Sequence, residues 1–158
     1  MMNHIDAAIA GVVFKKIETH TDDRGFFREI ICGCGEDSTI IGQVSHSLVY
    51  AGTVKAWHAH KIQTQWNYVL SGLIKVVLYD MRKESPTYRQ KMEFLSGDYQ
   101  VPQAYGFPPG ILHGYRCING PMHIIYVTSG TYDTGDEVRI PHDDPEINYD
   151  WTEGIRIR

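Results

Sequence analysis

Residues 52–72 read GTVKAWHAHKIQTQWNYVLSG, and this stretch decides the fold expected for the chain. It places His58 and His60 two positions apart between two glycines, Gly52 and Gly72. Side chains two positions apart on a β-strand point to the same face of the sheet. If the stretch is a strand, both imidazoles project toward one surface. That surface is then either a proton-transfer site or a metal site.

Strand-forming residues dominate the rest of the chain. Short runs rich in β-branched and aromatic residues are separated by Gly, Pro, Asp and Ser, and they predict strands at 12–14, 26–31, 43–49, 66–70, 73–79, 91–94 and 123–127. Ser71-Gly72 is predicted to form a tight hairpin, and residues 106–114 a loop that enters another strand. Many short strands with regularly spaced turns indicate a β-sandwich or barrel.

Length, charge and cysteine usage exclude several classes of protein. The 158 residues suffice for one domain with a substantial core. The formal net charge is −4 without a Lys/Arg-rich run, so no nucleic-acid partner is expected. No apolar stretch approaches the roughly 18 residues of a membrane span, and residues 1–11 lack a signal-peptide pattern. Cys32, Cys34 and Cys117 are then read as free thiols of a cytoplasmic protein.

Two segments resemble the motifs of the cupin superfamily. Residues 52–72 resemble the first cupin motif, with Gln65 where many members have Glu, and residues 108–114 resemble the second. Cupins are small β-barrels of the jelly-roll kind. The resemblance implies an all-β cupin jelly-roll barrel, with residues 1–158 as a single domain.

A narrower resemblance, to the dTDP-4-dehydrorhamnose 3,5-epimerase family, covers nearly the whole chain. Residues 23–29 (DRGFFRE) are similar to an early Arg-Gly-x-Phe-x-Glu segment, and residues 43–58 to a run that ends in Arg-Gly-x-His. Residues 80–87 (DMRKESPT) match an Asp-x-Arg-x-x-Ser-Pro-Thr signature. Tyr126, Tyr132, Glu137 and residues 143–151 fit the C-terminal pattern. All four matches occur in the family's order, which favours both the fold and the substrate class.

The resemblance implies an isomerase that acts on a nucleotide-linked 4-keto-6-deoxy hexose. A ketone at C4 acidifies the C–H bonds at C3 and C5, so a base can form an enolate and an acid can return a proton to the opposite face. By resemblance His58 is the base, with an ordinary pKa of about 6.5. Tyr126 is the acid, with an ordinary pKa of about 10. Neither a cofactor nor a metal is implied.

The same resemblance assigns residues to substrate binding. Arg24 would contact phosphate, Phe27 would stack on the nucleotide base, and Glu29 would hydrogen-bond that base. In the family these come from N-terminal strands, about residues 1–30, exchanged with a neighbouring subunit, so a homodimer is implied. The residues implied around the sugar and pyrophosphate are Gln43, Ser47, His113 and Tyr132. The acidic segment of about residues 131–158 is expected to wrap the barrel.

Three departures from the family pattern indicate an altered task. Lys55 replaces an Arg, and Gln65 falls where the family's Lys would stabilise the enolate. The family's Asp that orients the catalytic His lies in a C-terminal segment that is not found here, and no substitute is identified from the sequence. These changes favour epimerisation at C3 alone over C3 and C5, and leave dTDP or CDP open as the nucleotide.

Two alternatives remain beside the epimerase. One is a metal-binding cupin that uses His58, His60, Gln65 and His113. The other is a cupin that binds a sugar nucleotide without catalysis. The Ser-Pro-Thr signature, Tyr126 and the acidic tail count against a metal. The epimerase would serve deoxysugar and surface-polysaccharide biosynthesis, such as the O-antigen of lipopolysaccharide.

Overall fold

The computed structural model of the protein describes residues 7–32 and 41–153. Within these ranges it contains strands and turns but no helix, and so no helix able to cross a membrane. Ten strands are formed: β1 (Val13–Lys16), β2 (His20–Asp22), β3 (Gly25–Phe27), β4 (Gln43–Val49), β5 (Val54–His60), β6 (Gln65–Asp80), β7 (Lys91–Gly97), β8 (Gln103–Phe107), β9 (Ile111–Thr128) and β10 (Glu137–Arg139). The all-β prediction is confirmed. Cys34 lies outside the described residues.

Two long strands organise the main sheet. The sheet has the order β1-β8-β6-β9-β5-β10, with β4 also paired to β9 and β7 to β6. The first part of β6 pairs with β8 and its last part with β7. Similarly, β9 pairs with β5 near its start and with β4 near its end. All these pairs are antiparallel, and the change of partner along each long strand lets one sheet close around an interior.

The hairpin predicted at Ser71-Gly72 is wrong. Strand β6 continues through this pair, and its register against β9 shifts between Val69 and Leu73. Gly72 has φ of 87°, and a Cβ there would lie 2.8 Å from the Cα atom of Met122. The Ser-Gly pair therefore marks a bulge, because a partner strand approaches too closely for a larger residue. The predicted loop at 106–114 is also shorter, since β8 ends at Phe107 and β9 begins at Ile111.

The long strands are buried on both faces. On the inner face, an interior cluster packs around side chains that include Ile74, Val76, Leu78, Tyr115, Cys117 and Ile124. On the outer face, Trp57, Val77 and Leu112 pack against Ile147 and Trp151 from the C-terminal segment. The backbone of that segment accepts hydrogen bonds from Lys91 and Arg116, at 2.7 Å to Ile147 O and 2.9 Å to Trp151 O. The segment is thus fixed against the sheet, which holds β10 beside β5.

Asp80, at the end of β6, anchors the loop that carries the Ser-Pro-Thr signature. Its carboxylate is 0% exposed and accepts hydrogen bonds from Arg82 Nε (2.8 Å), Ser85 Oγ (2.6 Å) and Thr87 Oγ1 (2.7 Å). Burial opposes ionisation, but these donors outweigh it and hold the pKa of Asp80 well below its usual range. The signature is therefore a structural anchor in this chain.

We predict that Asp80→Asn lowers the free energy of unfolding by about 3 kcal/mol, because it leaves the Arg82 guanidinium without its buried counter-charge. Urea denaturation followed by circular dichroism measures the change. Asp22→Asn, which removes an exposed pairing with Arg24, is the matched control and should leave the midpoint unchanged. Equal midpoints for wild type and Asp80→Asn would contradict the anchoring role.

Candidate active site

Polar side chains from four strands meet on the inner face beyond the interior cluster. In the antiparallel registers, His58 lies opposite His113, Asn67 opposite Tyr126, and Tyr126 opposite Ser45. Directly opposed residues share a face of the sheet. The ring of Phe107, a member of the interior cluster, lies 4.6 Å from the ring of His113 between centroids. This end of the barrel interior is therefore the candidate active site.

His58 is paired with a carboxylate from β10. Its Nδ1 lies 3.2 Å from Glu137 Oε1, and Arg139 Nη2 lies 2.9 Å from the same oxygen. Burial lowers the pKa of His58, Arg139 lowers it further, and Glu137 opposes both. The imidazole is then neutral at pH 7, with Nδ1–H donated to Glu137 and Nε2 left to accept a proton. This is the arrangement that a general base requires.

His60 has a separate carboxylate partner. Its Nδ1 lies 3.0 Å from Asp136 Oδ2, and Asp136 Oδ1 accepts the backbone N–H groups of Lys61 and Ile62 at 2.8 and 2.6 Å. Burial alone would raise the pKa of Asp136, but the hydrogen bonds from Ile62 and His60 lower it overall. On its other side, His60 Nε2 lies 2.9 Å from Gln65 Oε1. His60 is thus held at both ring nitrogens.

The structure supplies acidic partners that the sequence analysis did not identify. Glu137 and Asp136 lie 79 and 76 residues beyond the histidines they contact. The signal in the sequence for these histidine partners was a pair of adjacent acidic residues in a short extended segment. Only the pairing of β10 with β5 reveals which histidines they face.

Tyr126 lies in a buried hydrogen-bonded group. Its hydroxyl is 2.7 Å from the hydroxyl of Tyr115 and is also hydrogen-bonded to Ser47. Burial raises the pKa of Tyr126, although the two hydrogen bonds partly offset this. Burial also raises the pKa of Tyr115. Tyr126 therefore keeps its proton at neutral pH, and Tyr115 is a partner that the sequence analysis missed.

The remaining residues predicted near the sugar lie either at the barrel rim or on strands β5 and β9. Gln43 donates from Nε2 to Ser45 Oγ at 2.8 Å and accepts from the backbone N of Tyr132 at 2.9 Å, which brings both segments to the barrel rim. The Tyr132 side chain is 66% exposed. Lys55 is exposed on β5, beside a register shift. His113 contacts its own strand through Ile111 O at 3.2 Å, and burial lowers the pKa of His113 to about 3.

The residues predicted to bind the nucleotide lie apart from this cluster. Strands β2 and β3 form their own two-stranded sheet. Arg24 pairs with Asp22 at 2.5 Å, and the Phe27 side chain is 62% exposed. Within the described residues, no hydrogen bond or ion pair joins Arg24, Phe27 or Glu29 to the histidines or Tyr126. The site of one chain therefore does not contain them.

The metal-binding alternative finds no ligand set in the described part of the chain. No group of three or more His, Cys, Asp or Glu side chains there is placed to hold a metal ion. The ring centroids of His58 and His113 are 6.2 Å apart, and those of His60 and His113 are 6.0 Å apart. His58 and His60 each face a carboxylate instead.

Comparison with known proteins assigns the family and the fold. The sequence matches the family model of dTDP-4-dehydrorhamnose 3,5-epimerase over residues 6–157. The spore coat polysaccharide biosynthesis protein SpsL of Bacillus subtilis (strain 168) is 38% identical, over 94% of this chain and 99% of that protein. The probable low-salt glycan biosynthesis epimerase Agl13 of Haloferax volcanii is 32% identical, over 93% and 97%. The crystal structure of a dTDP sugar isomerase from Desulfovibrio desulfuricans G20 superposes with a TM-score of 0.88 at 25% identity, covering 96% and 97%.

Fold and site thus define an isomerase built on the cupin jelly roll. The chain belongs to the dTDP-4-dehydrorhamnose 3,5-epimerase family. The predictions of family, jelly-roll fold and isomerase class are confirmed, and the metal-binding and non-catalytic alternatives are not favoured.

We predict that the charges on β10 shift the titration of His58 in opposite directions. Glu137→Gln removes the anion that favours the imidazolium, so the pKa of His58 should fall. Arg139→Gln removes a cation that disfavours the imidazolium, so the pKa of His58 should rise. A ¹H–¹⁵N NMR titration of the ring measures both, with His20 in the separate hairpin as internal reference. Shifts of the same sign in both variants would contradict the electrostatic assignment.

Proposed function

We propose that the protein epimerises a nucleotide-linked 4-keto-6-deoxy hexose at C3. The observation that carries the proposal is the pairing of His58 with Glu137 on the same inner face as the hydrogen-bonded Tyr126. A base and an acid on separate strands suit a reaction that removes a proton from one side of a sugar ring and returns one to the other. Membership of the family supports the same reaction.

The reaction proceeds in two proton transfers. His58 Nε2 takes the proton from C3, and the electron pair of that C–H bond moves into the C3–C4 bond and onto the C4 oxygen. Glu137 stabilises the imidazolium that forms. Tyr126 then donates its hydroxyl proton to the opposite face of C3, and the C4 carbonyl is restored. The lowered pKa of His58 and the raised pKa of Tyr126 give each group its required form at neutral pH.

The favoured nucleotide is dTDP, and the favoured assembly is a homodimer. Arg24 has a side chain 85% exposed, and Phe26 and Phe27 are 64% and 62% exposed, on a hairpin that its own site does not use. A basic and aromatic hairpin suits a phosphate and a nucleobase. Exchange of residues 1–30 with a second copy would deliver Arg24, Phe27 and Glu29 to the site there.

We assign the remaining expectations on the same basis. Gln43, Ser47, Lys55, Gln65, His113 and Tyr132 form the proposed sugar and pyrophosphate pocket. Residues 1–158 act as a single cupin domain in which the segment of about residues 131–158 wraps the barrel, and residues 154–158 of that segment lie outside the described residues. The enzyme is cytoplasmic and serves deoxysugar and surface-polysaccharide synthesis, and the O-antigen of lipopolysaccharide is the narrower expectation. The polysaccharide and glycan functions named for two relatives support the broader role.

Solvent exchange tests the reaction and both catalytic residues. In D₂O, the wild type should introduce deuterium at C3 of dTDP-4-keto-6-deoxyglucose with inversion, as followed by NMR. His58→Asn should abolish exchange because no base remains. Tyr126→Phe should retain exchange but lose inversion, since His58 can return a deuteron only to the face it deprotonated.

The outcomes separate the competing functions. Deuterium at both C3 and C5 would make the enzyme a 3,5-epimerase. Faster exchange with the CDP-linked sugar would identify CDP, not dTDP, as the nucleotide. Binding of the sugar nucleotide with no exchange at either carbon would leave a non-catalytic binding protein.

The hairpin should act on affinity more than on chemistry. We predict that Phe27→Ala raises the Kd for dTDP by about 10-fold, because stacking on a base is worth roughly 1–3 kcal/mol. Isothermal titration calorimetry measures this change, while sedimentation reports the oligomeric state. Tyr99→Ala, a change at an aromatic side chain 92% exposed elsewhere, is the matched control. A monomer that binds dTDP with the same Kd in both variants would refute hairpin exchange.

A further inference from the structure

We infer that the amide NH₂ of Asn67 is the hydrogen-bond donor to the C4 oxygen of the substrate, held in place by a relay through Gln65, His60 and Asp136. The inference rests on the proposed function, because the proposed reaction is what places negative charge on the C4 oxygen. It assigns a further catalytic residue and three positioning residues.

Asn67 carries an unmet hydrogen-bonding group. The residue is 2% exposed, and its Nδ2 has no partner within the described residues. The same holds there for one other buried side-chain nitrogen, Trp57 Nε1, which lies in the outer cluster. A buried donor without an acceptor is destabilising, and a ligand that accepts the bond would remove this cost.

The location of Asn67 suits that role. It lies directly opposite Tyr126 across β6 and β9, so the two Cβ atoms are about 5 Å apart on the same face. The relay connects it to His60, two residues from His58 and on the same face of β5. The donor therefore lies beside the proposed acid and is connected through the relay to the strand that carries the proposed base. In the substrate, C4 adjoins C3, the carbon on which these two groups act.

Between His60 and Asn67 the hydrogen bonds of the relay run in one direction. Gln65 Nε2 donates to Asn67 Oδ1 at 2.7 Å, so Gln65 presents its oxygen to His60 Nε2. The ionised carboxylate of Asp136 can only accept, so His60 Nδ1 also donates. In this arrangement Gln65 uses its NH₂ group on Asn67 Oδ1, and Asn67 is left with its own NH₂ group.

This direction of the hydrogen bonds favours an anion next to the Asn67 NH₂ group, where the relay ends. Two aligned amides lead from His60 to this end, and aligned hydrogen bonds strengthen one another in a low-dielectric interior. Asp136 holds His60 from the far side, where the Lys61 and Ile62 amides also bind the carboxylate. The relay thus gives an enolate oxygen a fixed donor, although position 65 is Gln where the family has Lys.

Asn67→Asp tests the donor directly. It keeps the oxygen that accepts from Gln65 and replaces the NH₂ by a second oxygen. We expect the rate of deuterium exchange at C3 to fall by about 10²–10³-fold, as when an oxyanion donor is removed, with the Kd for dTDP unchanged. Asn67→Leu, which has similar size and no polar atoms, should do the same. Exchange within threefold of wild type in both variants would overturn the inference.

The relay is tested by His60→Gln. This change removes the imidazole while leaving hydrogen-bonding groups, and exchange should fall by about 10–100-fold with dTDP binding intact. Trp57→Phe is the matched control and should leave exchange unchanged. It removes Trp57 Nε1–H, the second buried N–H without a partner in the described residues, and this group lies outside the site. Equal losses of thermal stability, dTDP binding and exchange in the Asn67 and His60 variants would assign them a structural role and overturn the inference.

A binding experiment keeps the inference separate from turnover. In a His58→Asn background, the protein should bind the 4-keto sugar nucleotide about 10-fold more tightly than its analogue lacking the C4 oxygen. Adding Asn67→Asp should remove this preference, and a preference that survives would contradict the donor role. Absence of exchange in the wild type would reject the proposed epimerase, while this preference would still decide the role of Asn67.

Discussion

The pairing of β10 with β5 is the constraint on which the site depends. Trp57 and Ile140 exchange backbone hydrogen bonds at 3.0 and 3.1 Å, and Lys61 N donates to Asp136 O at 3.0 Å. This short ladder places two carboxylates beside two histidines. A shift by one residue would turn Glu137 and Arg139 to the opposite face. Burial of Ile147 and Trp151 on the outer face of the sheet holds the register, so packing remote from the chemistry sets its geometry.

Burial shifts the pKa of each titratable group discussed in the site, and charged or hydrogen-bonded partners offset part of that shift. His58 is made less basic by its surroundings and by Arg139, while Glu137 limits that effect and stays ionised because Arg139 and His58 offset its own burial. Tyr126 and Tyr115 are kept neutral by burial. A neutral base and a protonated acid thus coexist near pH 7, because each environment moves its pKa in the useful direction.

The fold leaves two kinds of group unsatisfied in a single chain. Asn67 has a buried donor without an acceptor, and the β2–β3 hairpin presents Arg24 and two phenylalanines to solvent. Elsewhere the polar groups are well paired, as at Asp80, where three side chains share one buried carboxylate. Local rules of packing and hydrogen bonding are commonly broken where a ligand or partner completes them. Apart from Trp57 Nε1 in the outer cluster, these exceptions among the described residues coincide with the proposed contacts to substrate and to a second copy.

The sequence by itself determined the all-β class, the family and the shared face of His58 and His60, because strand periodicity and short motifs are local properties. It misread Ser71-Gly72, since glycine marks an unusual backbone without saying whether the cause is a turn or a close partner strand. The sequence alone could not predict contacts across the sheet. Glu137 beside His58, Tyr115 beside Tyr126 and the relay that ends at Asn67 depend on strand register. Only the tertiary structure decided them, because register is set by packing of the whole sheet and its C-terminal segment.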